Sequence, residues 1–171
     1  AEEALKKVCV ETGMEYVIIR PPLVYGPSVK ANFLSMLNWV ACGVPLPLGG
    51  VKNNKRSFVY VENLVDLIKT CIEHPAAANQ TFLVSDDEDV STRELLVRVA
   101  TALGVQSRLL NIPPSWLGLV GKLLGKKDIE QRLCASLQVD IAHTKNTLNW
   151  RPPYSMEEGL KQTAVWYKAR T

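Results

Sequence analysis

The chain has 171 residues, enough for one domain that buries most of the apolar surface of its unfolded form. Its 20 lysine and arginine residues nearly balance 17 aspartate and glutamate residues, and a net charge of +3 without a long basic block argues against a nucleic-acid partner. No apolar run reaches the length of a membrane-spanning helix. The four cysteines are widely spaced and form no C-x-x-C motif, which indicates a reducing compartment such as the cytoplasm.

The first residues predict a helix without a recognisable start. Apolar residues recur at helical spacing over residues 1–8, but neither a capping residue nor an initiator methionine precedes them. We therefore expect the chain to begin inside a helix and to be a piece of a longer protein; a processed terminus is the alternative. Residues 15–20 are rich in β-branched side chains and end at Pro21, which predicts a buried parallel strand.

Periodicity and turn residues predict the remaining elements, and these alternate along the chain. The predicted helices are 32–42, 62–74, the segment from Ser91 to Leu103, 115–124, 129–135 and the segment after Ser155, and the predicted strands are 57–61, 81–84 and 108–112. Two helices open with capping boxes, Ser91-x-x-Glu94 and Ser155-x-x-Glu158. This alternation predicts an α/β fold with a doubly wound sheet.

The usual motifs for phosphate and metal binding are absent from the sequence. None of the ten glycines forms a G-x-G-x-x-G or Walker A loop. The two histidines, His74 and His143, have no partners at metal-site spacing, so no metal is expected, and we interpret them as a helix end and a surface position. Without further information, the residues indicate part of an α/β protein and no particular reaction.

Three segments in a fixed order resemble motifs of a known family. Residues 20–27 read R-P-P-L-V-Y-G-P, residues 55–64 read K-R-S-F-V-Y-V-E-N-L, and L-N-W-R-P at 148–152 precedes E-G-L at 158–160. They are similar to R-x-x-x-V-Y-G-P, R-D-[FY]-[VI]-[HY]-V-x-D-L and L-G-W-x-P…E-G-L of the extended short-chain dehydrogenases, in the NAD-dependent nucleotide-sugar epimerase/dehydratase family. The resemblance covers essentially the whole chain and aligns it with the C-terminal half of a family member.

The resemblance implies a division of the chain into parts of two domains. Residues 1–30 are expected to end the NAD-binding Rossmann domain, and residues 31–171 to form mostly the small α/β substrate-binding domain. Residues from about 57 to 75 are expected to return to the Rossmann sheet. The family's Gly-rich NAD loop and catalytic Tyr-x-x-x-Lys pair align before Ala1, so no catalytic residue is assigned here. We expect the chain alone neither to bind NAD tightly nor to exchange hydride.

The same resemblance assigns four residues to the NAD cofactor. Pro21, Pro22, Leu23 and Val24 match the loop that lies against the nicotinamide ring in family members. Prolines hold such a backbone extended and leave its remaining polar groups in fixed directions. The alternative interpretation is a plain exit from a strand into a loop.

Six residues match positions that bind the UDP-sugar in the family. They are Asn32, Phe33, Leu46, Pro47, Leu48 and Arg56. Asn32 and Phe33 open a helix whose free N–H groups suit a diphosphate, unless Asn32 only caps that helix. Residues 46–48 match the wall of the uracil pocket. Arg56 matches the arginine that clamps the diphosphate through its paired donors, and the alternative is a solvated basic turn.

The implied activity is 4-epimerisation of a UDP-hexose or UDP-N-acetylhexosamine for surface-polysaccharide synthesis. The sugar would be oxidised at C4 to a 4-keto intermediate, and the hydride would return to the opposite face. A 4-keto-6-deoxy nucleotide-sugar reductase uses the same loops and is the alternative enzyme. A free-standing sugar-nucleotide-binding or interaction module is the alternative from another class, suggested by the apolar residues 116–124. A homodimer is a candidate assembly.

Overall fold

The computed structural model describes residues 1–112 and 134–170. The α-helices in these ranges are α1 (Glu2–Thr12), α2 (Ala31–Ala41), α3 (Val61–Glu73), α4 (Thr92–Leu103), α5 (Ala142–Leu148) and α6 (Met156–Arg170), and Pro75–Ala77 form a 3-10 turn. The strands are β1 (Val17–Arg20), β2 (Leu23–Tyr25), β3 (Arg56–Tyr60), β4 (Gln80–Leu83) and β5 (Asp89–Val90). Within the described ranges, every helix is too short or too polar to cross a membrane.

The described strands form two small sheets, of two and three strands, in which parallel pairing dominates. β1 pairs with β4 in parallel, and β2 pairs with β3 in parallel. β5 extends the second group by lying antiparallel to β3. Parallel neighbours need a crossover connection, and α3 lies in the connection that returns the chain to β4 beside β1. The arrangement confirms the α/β fold class and its parallel sheet.

Strand β3 divides the buried apolar side chains into two clusters. Phe58 and Tyr60 lie in a cluster with residues of α2, α4 and α6. Val59 points the other way and lies with residues of α3, β4 and α5 in the second cluster. Both clusters meet β3 because successive side chains of a strand alternate between its faces. The division into domains stays a prediction, but α3 and β4 pack away from the α2–α4–α6 group.

Of the two predicted capping boxes, the one at Ser155 forms in full, and the one at Ser91 forms only the serine half, because the Glu94 carboxylate accepts from Arg98 instead. Ser91 Oγ accepts a hydrogen bond from the backbone N–H of Glu94 at 3.1 Å, and Gly104 ends α4 in the left-handed region with φ of 69°. Ser155 Oγ accepts from the N–H of Glu158 at 3.3 Å, while the N–H of Ser155 donates to Glu158 Oε2 at 2.8 Å. The reciprocal bonds satisfy N–H groups at the start of α6.

Two expectations about elements were wrong, and one helix was missed. Residues 108–112 make one bridge, between Leu109 and Leu46, and no strand. The next backbone bond to Leu110 O comes from the N–H of Gly49 at 2.9 Å and not from Leu48, so the regular parallel pairing is lost after one bridge. Residues 23–25 were expected to be a loop but form β2 against β3. Helix α5 was not predicted. The predicted helix at 115–124, most of that at 129–135, and the apolar segment 116–124 lie outside the described residues.

Candidate functional site

The segment that follows β1 lies at the carboxyl edge of a parallel strand pair. Pro21 is exposed, and Pro22, Leu23 and Val24 are half-buried. Nucleotides bind at this edge in open α/β sheets. An accessible apolar segment with two prolines offers a flat, rigid surface for a nicotinamide ring, so these residues fit the cofactor contact predicted for them. The contact itself stays a prediction.

Arg20 links the first turn of α1 to the same edge. Its Nε donates to Glu2 Oε1 at 3.0 Å, and its Nη2 donates to Glu2 Oε2. The hydrogen bond and charge of Arg20 lower the pKa of the Glu2 carboxyl below its ordinary value. A two-point contact of this kind fixes orientation as well as distance. The start of α1 is therefore anchored beside the carboxyl end of β1.

The loop from β2 to α2 presents a helix start at the surface. Helix α2 begins at Ala31, its N-cap is Lys30, and no side chain caps it. Asn32 lies in the first turn, so its interpretation as the helix cap is wrong. The Asn32 side chain is exposed, whereas Phe33 is buried and stacks on Tyr25 with ring centroids 5.5 Å apart. The first-turn N–H groups give this surface the partial positive charge that suits an anion.

Residues 46–48 divide between the core and the surface. Leu46 and Leu48 are buried in the same apolar cluster as Phe33, and Pro47 between them is half-buried. Residues two apart share a face when the backbone is extended, so the two leucines point inward together. Backbone bonds from Leu46 N–H to Arg108 O at 2.9 Å and from Leu110 N–H to Leu46 O at 2.8 Å hold the segment in place. A base-binding wall built here would use Pro47 and backbone groups.

Arg56 occupies the amino end of β3. It is half-buried, lies opposite Val90 of β5, and forms a bridge with Leu137 on its other side. Phe33 packs near the other end of the strand, where Tyr25 is opposite Tyr60. The four residue steps from Arg56 to Tyr60 span about 13 Å. The structure therefore places Arg56 and the start of α2 at different ends of β3, and one ligand that touches both must be elongated.

Sequence reasoning missed a buried polar cluster around Asp86. This carboxylate is 6% exposed and follows β4 closely. Its Oδ2 accepts from the Tyr25 hydroxyl at 2.8 Å, and its Oδ1 accepts from the Tyr60 N–H and from Asn63 Nδ2, each at 2.8 Å. The available signal was an Asp-Asp pair directly after a buried strand, a position at the carboxyl edge of the sheet.

Burial controls the protonation of this cluster. It raises the pKa of the Asp86 carboxyl above its ordinary value, although the bonds from Tyr60, Asn63 and Tyr25 act in the opposite direction. Burial and the negative charge of Asp86 raise the pKa of Tyr25 far above its ordinary value. The Tyr25 hydroxyl is therefore neutral at physiological pH and serves as a fixed hydrogen-bond donor.

Comparison with known proteins identifies relatives of the chain. Residues 1–85 match the NAD dependent epimerase/dehydratase family. The UDP-glucose 4-epimerase of Vibrio cholerae is 55% identical over 164 residues, which are 96% of this chain and 50% of that protein. The crystal structure of the UDP-glucose 4-epimerase of Thermotoga maritima with UDP-glucose has a TM-score of 0.69 at 21% identity, covering 99% of this chain and 51% of that one. The Thermus thermophilus UDP-glucose 4-epimerase complex with NAD has a TM-score of 0.71 at 21% identity, covering 99% and 52%.

The structural similarities and the sequence similarities support different conclusions about the chain. The chain spans about half the length of the curated relatives it matches. The two structural similarities, each at 21% identity, establish a shared fold. The family match over residues 1–85 and the 55% identity along nearly the whole chain establish common descent. The chain belongs to the NAD dependent epimerase/dehydratase family.

Proposed function

We propose that this chain is the substrate-binding part of a UDP-sugar 4-epimerase that acts on a UDP-hexose or a UDP-N-acetylhexosamine. One observation carries the proposal, the 55% identity to the Vibrio cholerae UDP-glucose 4-epimerase over 96% of the chain. Residues at the carboxyl edge of the sheet support it, because that edge is where α/β folds of this kind bind nucleotides.

In this proposal the chain contributes one wall of the cofactor site. NAD, when bound, supplies a reversible acceptor for the hydride of the sugar C4 position. Pro21 to Val24 contact the nicotinamide, and their rigid backbone limits how the ring sits. The Arg20–Glu2 pair holds α1 beside that wall. Residues 1–30 and about 57–75 then belong to the cofactor-binding domain, and most of the remainder to the substrate-binding domain.

The UDP-sugar lies along the surface that includes β3. Asn32 and the first-turn N–H groups of α2 meet one region of the ligand, and Arg56 binds diphosphate oxygens through its planar donors. Pro47 and the backbone around Leu46 and Leu48 border the uracil. A nucleotide sugar has the elongated shape that these separated contacts require.

The 171 residues alone are proposed to be inactive. They contain no Tyr-x-x-x-Lys pair and no Gly-rich loop, so they lack the family's proton-transfer groups and most of its cofactor contacts. Activity is expected only when a cofactor-binding half is present. A homodimer is the proposed assembly of that complete enzyme, to be measured from its mass in solution.

The test uses the full-length protein with NAD and, in separate reactions, UDP-glucose and UDP-N-acetylglucosamine. Formation of the matching C4 epimer, followed by NMR, is the expected result in at least one reaction. A protein that forms neither epimer but consumes NADPH with a 4-keto-6-deoxy nucleotide sugar is a reductase, and the proposal then fails. A protein that binds UDP-sugars and transforms none of them is a binding module, which also contradicts the proposal.

A further inference from the structure

Asp86 joins three segments that are far apart in the sequence, the end of β2, the junction of β3 with α3, and the residues before α6. It binds Tyr25 at the end of β2, the N–H of Tyr60 at the end of β3, and Asn63 in the first turn of α3. Asn63 continues the network, because its Nδ2 also donates to Tyr154 O at 2.9 Å and its Oδ1 accepts from Tyr154 N–H at 2.9 Å. The segment before α6 is thus tied to the same carboxylate.

Tyr25 is the member of this cluster that touches both parts of the candidate site. Its backbone directly follows Val24, the last residue of the cofactor-facing segment. Its ring stacks on Phe33 in the first turn of α2, with an interplanar angle of 19°. Its hydroxyl is fixed by Asp86 at 2.8 Å. Movement of Tyr25 would therefore be transmitted to both the cofactor-facing segment and the start of α2.

Close backbone packing leaves this cluster little freedom. A Cβ atom on Gly159 of α6 would lie 2.7 Å from the Tyr25 hydroxyl oxygen and 2.9 Å from the ring of Tyr60. A Cβ atom on Gly26 would lie 2.5 Å from Val61 Cγ1. All three distances are shorter than packed atoms allow, so glycine at these two positions permits a contact that any side chain would push apart.

We propose that Asp86 is a positioning residue that, through Tyr25, holds the cofactor-facing segment and the first turn of α2 at one fixed separation. The inference rests on the proposed function, in which a hydride passes between the nicotinamide and the sugar. Such a transfer needs the reacting atoms within a narrow distance, and small displacements slow it strongly.

The chemistry of the cluster supports a role beyond folding. The three donors to Asp86 are a phenol, a backbone amide and a carboxamide, all of them neutral. A buried carboxylate among neutral donors is less favourable for folding than a well-packed apolar group of the same size. Residues that reduce stability in this way are typical of functional sites.

The main test compares four variants of the full-length enzyme. Tyr25→Phe keeps the ring that stacks on Phe33 and removes only the hydroxyl, and Asp86→Asn keeps the shape of the side chain. Two further variants are the matched controls. Tyr167→Phe removes a phenol that donates to Asn38 Oδ1 at 2.8 Å, and Asp87→Asn neutralises the exposed carboxylate next to Asp86 in the sequence.

We expect kcat to fall about tenfold or more in Tyr25→Phe and Asp86→Asn, and the affinity for UDP in Tyr25→Phe to stay within about twofold. The controls should keep the wild-type kcat.

A second readout is independent of turnover. Amide hydrogen exchange of residues 21–34 is measured with and without UDP. Pro21 and Pro22 have no N–H group, so Leu23 and Val24 are the amides that report on the cofactor-facing segment. In the wild type, UDP bound at α2 should also protect these two amides, because Tyr25 couples the two segments. In Tyr25→Phe this remote protection should be lost, while the unfolding midpoint stays close to that of Tyr167→Phe.

The acid side of the kcat profile gives a third readout. Removing the Tyr25 hydroxyl removes a bond that favours ionised Asp86, so the pKa of Asp86 rises further and activity should be lost at a higher pH than in the wild type. The titratable groups around Asp86 and its tyrosine partners are Tyr25, Tyr60, Tyr154, Glu62 and Glu88. Glu88 is unchanged in every variant and its charge acts equally on all of them.

Two results would overturn the inference. One is a Tyr25→Phe enzyme with wild-type kcat and pH profile; the other is UDP protection of the Leu23 and Val24 amides that persists in that variant. Failure of the proposed function is a separate outcome, since it appears as a wild-type enzyme that forms no C4 epimer. In that case the exchange experiment with UDP still decides whether Asp86 and Tyr25 position the segment.

Discussion

Arg56 is the single side chain on which diphosphate recognition depends most in the proposed function. In the full-length enzyme, Arg56→Ala should weaken UDP binding by about 1.5–3 kcal/mol, the size of a hydrogen bond to a charged group. Arg56→Lys should recover only part of this loss, because an ammonium keeps the charge but not the planar fork. Titration calorimetry with UDP measures both variants, and NAD affinity should stay nearly unchanged.

Lys55 provides the matched control for that measurement. It is the exposed neighbour of Arg56 and carries the same charge, so Lys55→Ala tests the effect of net charge alone. We expect it to change UDP affinity much less than Arg56→Ala, since exposed charges contribute little. If Arg56→Ala binds UDP as tightly as the wild type, Arg56 has no role in phosphate binding and the phosphate site lies elsewhere.

Asp86 gives a prediction for the pH dependence of stability. Its pKa in the folded protein is raised above the ordinary 3.8, so the folded state binds this proton more tightly than the unfolded state. The stabilising contribution is complete below 3.8 and is lost as the pH rises through the raised value. Relative to Asp86→Asn, which does not titrate, the wild-type free energy of unfolding should therefore fall as the pH increases across that interval.

Urea unfolding at a series of pH values measures this difference, with Asp87→Asn compared in the same way as the control. A wild-type free energy of unfolding that rises relative to that of Asp86→Asn as the pH increases would mean that the three hydrogen bonds outweigh burial, and that the pKa of Asp86 is lowered by folding.

Single residues differ in how far the sequence alone could assign them. Arg56 stands in a recognisable motif and Asn32 at a matched position at a helix start, and both keep accessible side chains. Leu46 and Leu48 stand in a matched segment too, but their side chains are buried because an extended backbone turns alternate residues inward. Asp86 has no motif of its own. Its partner Tyr25 lies 61 residues earlier, and only the folded structure brings the two together.

At the scale of elements, α6 shows packing that opposes helix propensity. Gly159 lies inside this helix, where alanine would ordinarily be more favourable by about 1 kcal/mol. A Cβ there would meet the Tyr60 ring at 2.9 Å, so Gly159→Ala should instead destabilise the protein by about 1–3 kcal/mol. Denaturant unfolding of the variant measures the change.

Gln162→Ala is the control on the same helix. Its side chain is exposed, so the substitution alters propensity without altering the core and should stay within about 0.5 kcal/mol of the wild type. A Gly159→Ala variant more stable than wild type would show that α6 can move away from Tyr25 at no cost, which would also weaken the case for a rigid cluster.

The elements that local sequence could predict are those with their own start and stop signals. Helices α4 and α6 have reciprocal or partial capping boxes, and both form where expected. Helix α5 has weaker signals, an Asp140 Oδ1 that accepts from the Ala142 N–H at 2.8 Å and a left-handed Asn149 after its last turn. It is held by tertiary contacts, including the bond from Thr144 Oγ1 to Leu83 O at 2.6 Å and the burial of Leu148. Strand β2 is only three residues long and forms because β3 lies beside it.

At the scale of the molecule, strand edges and two helix faces are left uncovered in the described residues. β1 and β4 have only each other as neighbours there, and β2 and β5 pair only with β3. Helix α1 exposes Leu5, Val8 and Val10. Helix α3 exposes Val65, Ile68 and Ile72. Surfaces of this kind are where a further domain or another chain packs, and an unpaired edge also invites association.

This arrangement predicts uneven protection of the strands in the 171-residue chain. The amides of β1 should exchange faster than those of β3. β3 has a neighbouring strand on both sides and four buried residues, whereas β1 has one neighbouring strand in the described part of the chain. Hydrogen exchange with mass spectrometry measures this, and light scattering reports whether association protects the edge instead. A monomer with β1 protected as well as β3 would contradict the prediction.

The most direct test of the whole account follows the C4 hydrogen of the sugar. Full-length enzyme is incubated with NAD and a UDP-sugar that carries deuterium at C4. UDP-glucose and UDP-N-acetylglucosamine are tested in separate reactions, and the products are identified by NMR. The 171-residue chain is assayed in the same way. A 4-epimerase that returns the same hydride to the opposite face should form the C4 epimer with deuterium retained, and the 171-residue chain should form none. A full-length enzyme that forms neither epimer, or an isolated 171-residue chain that forms one by itself, would contradict the account.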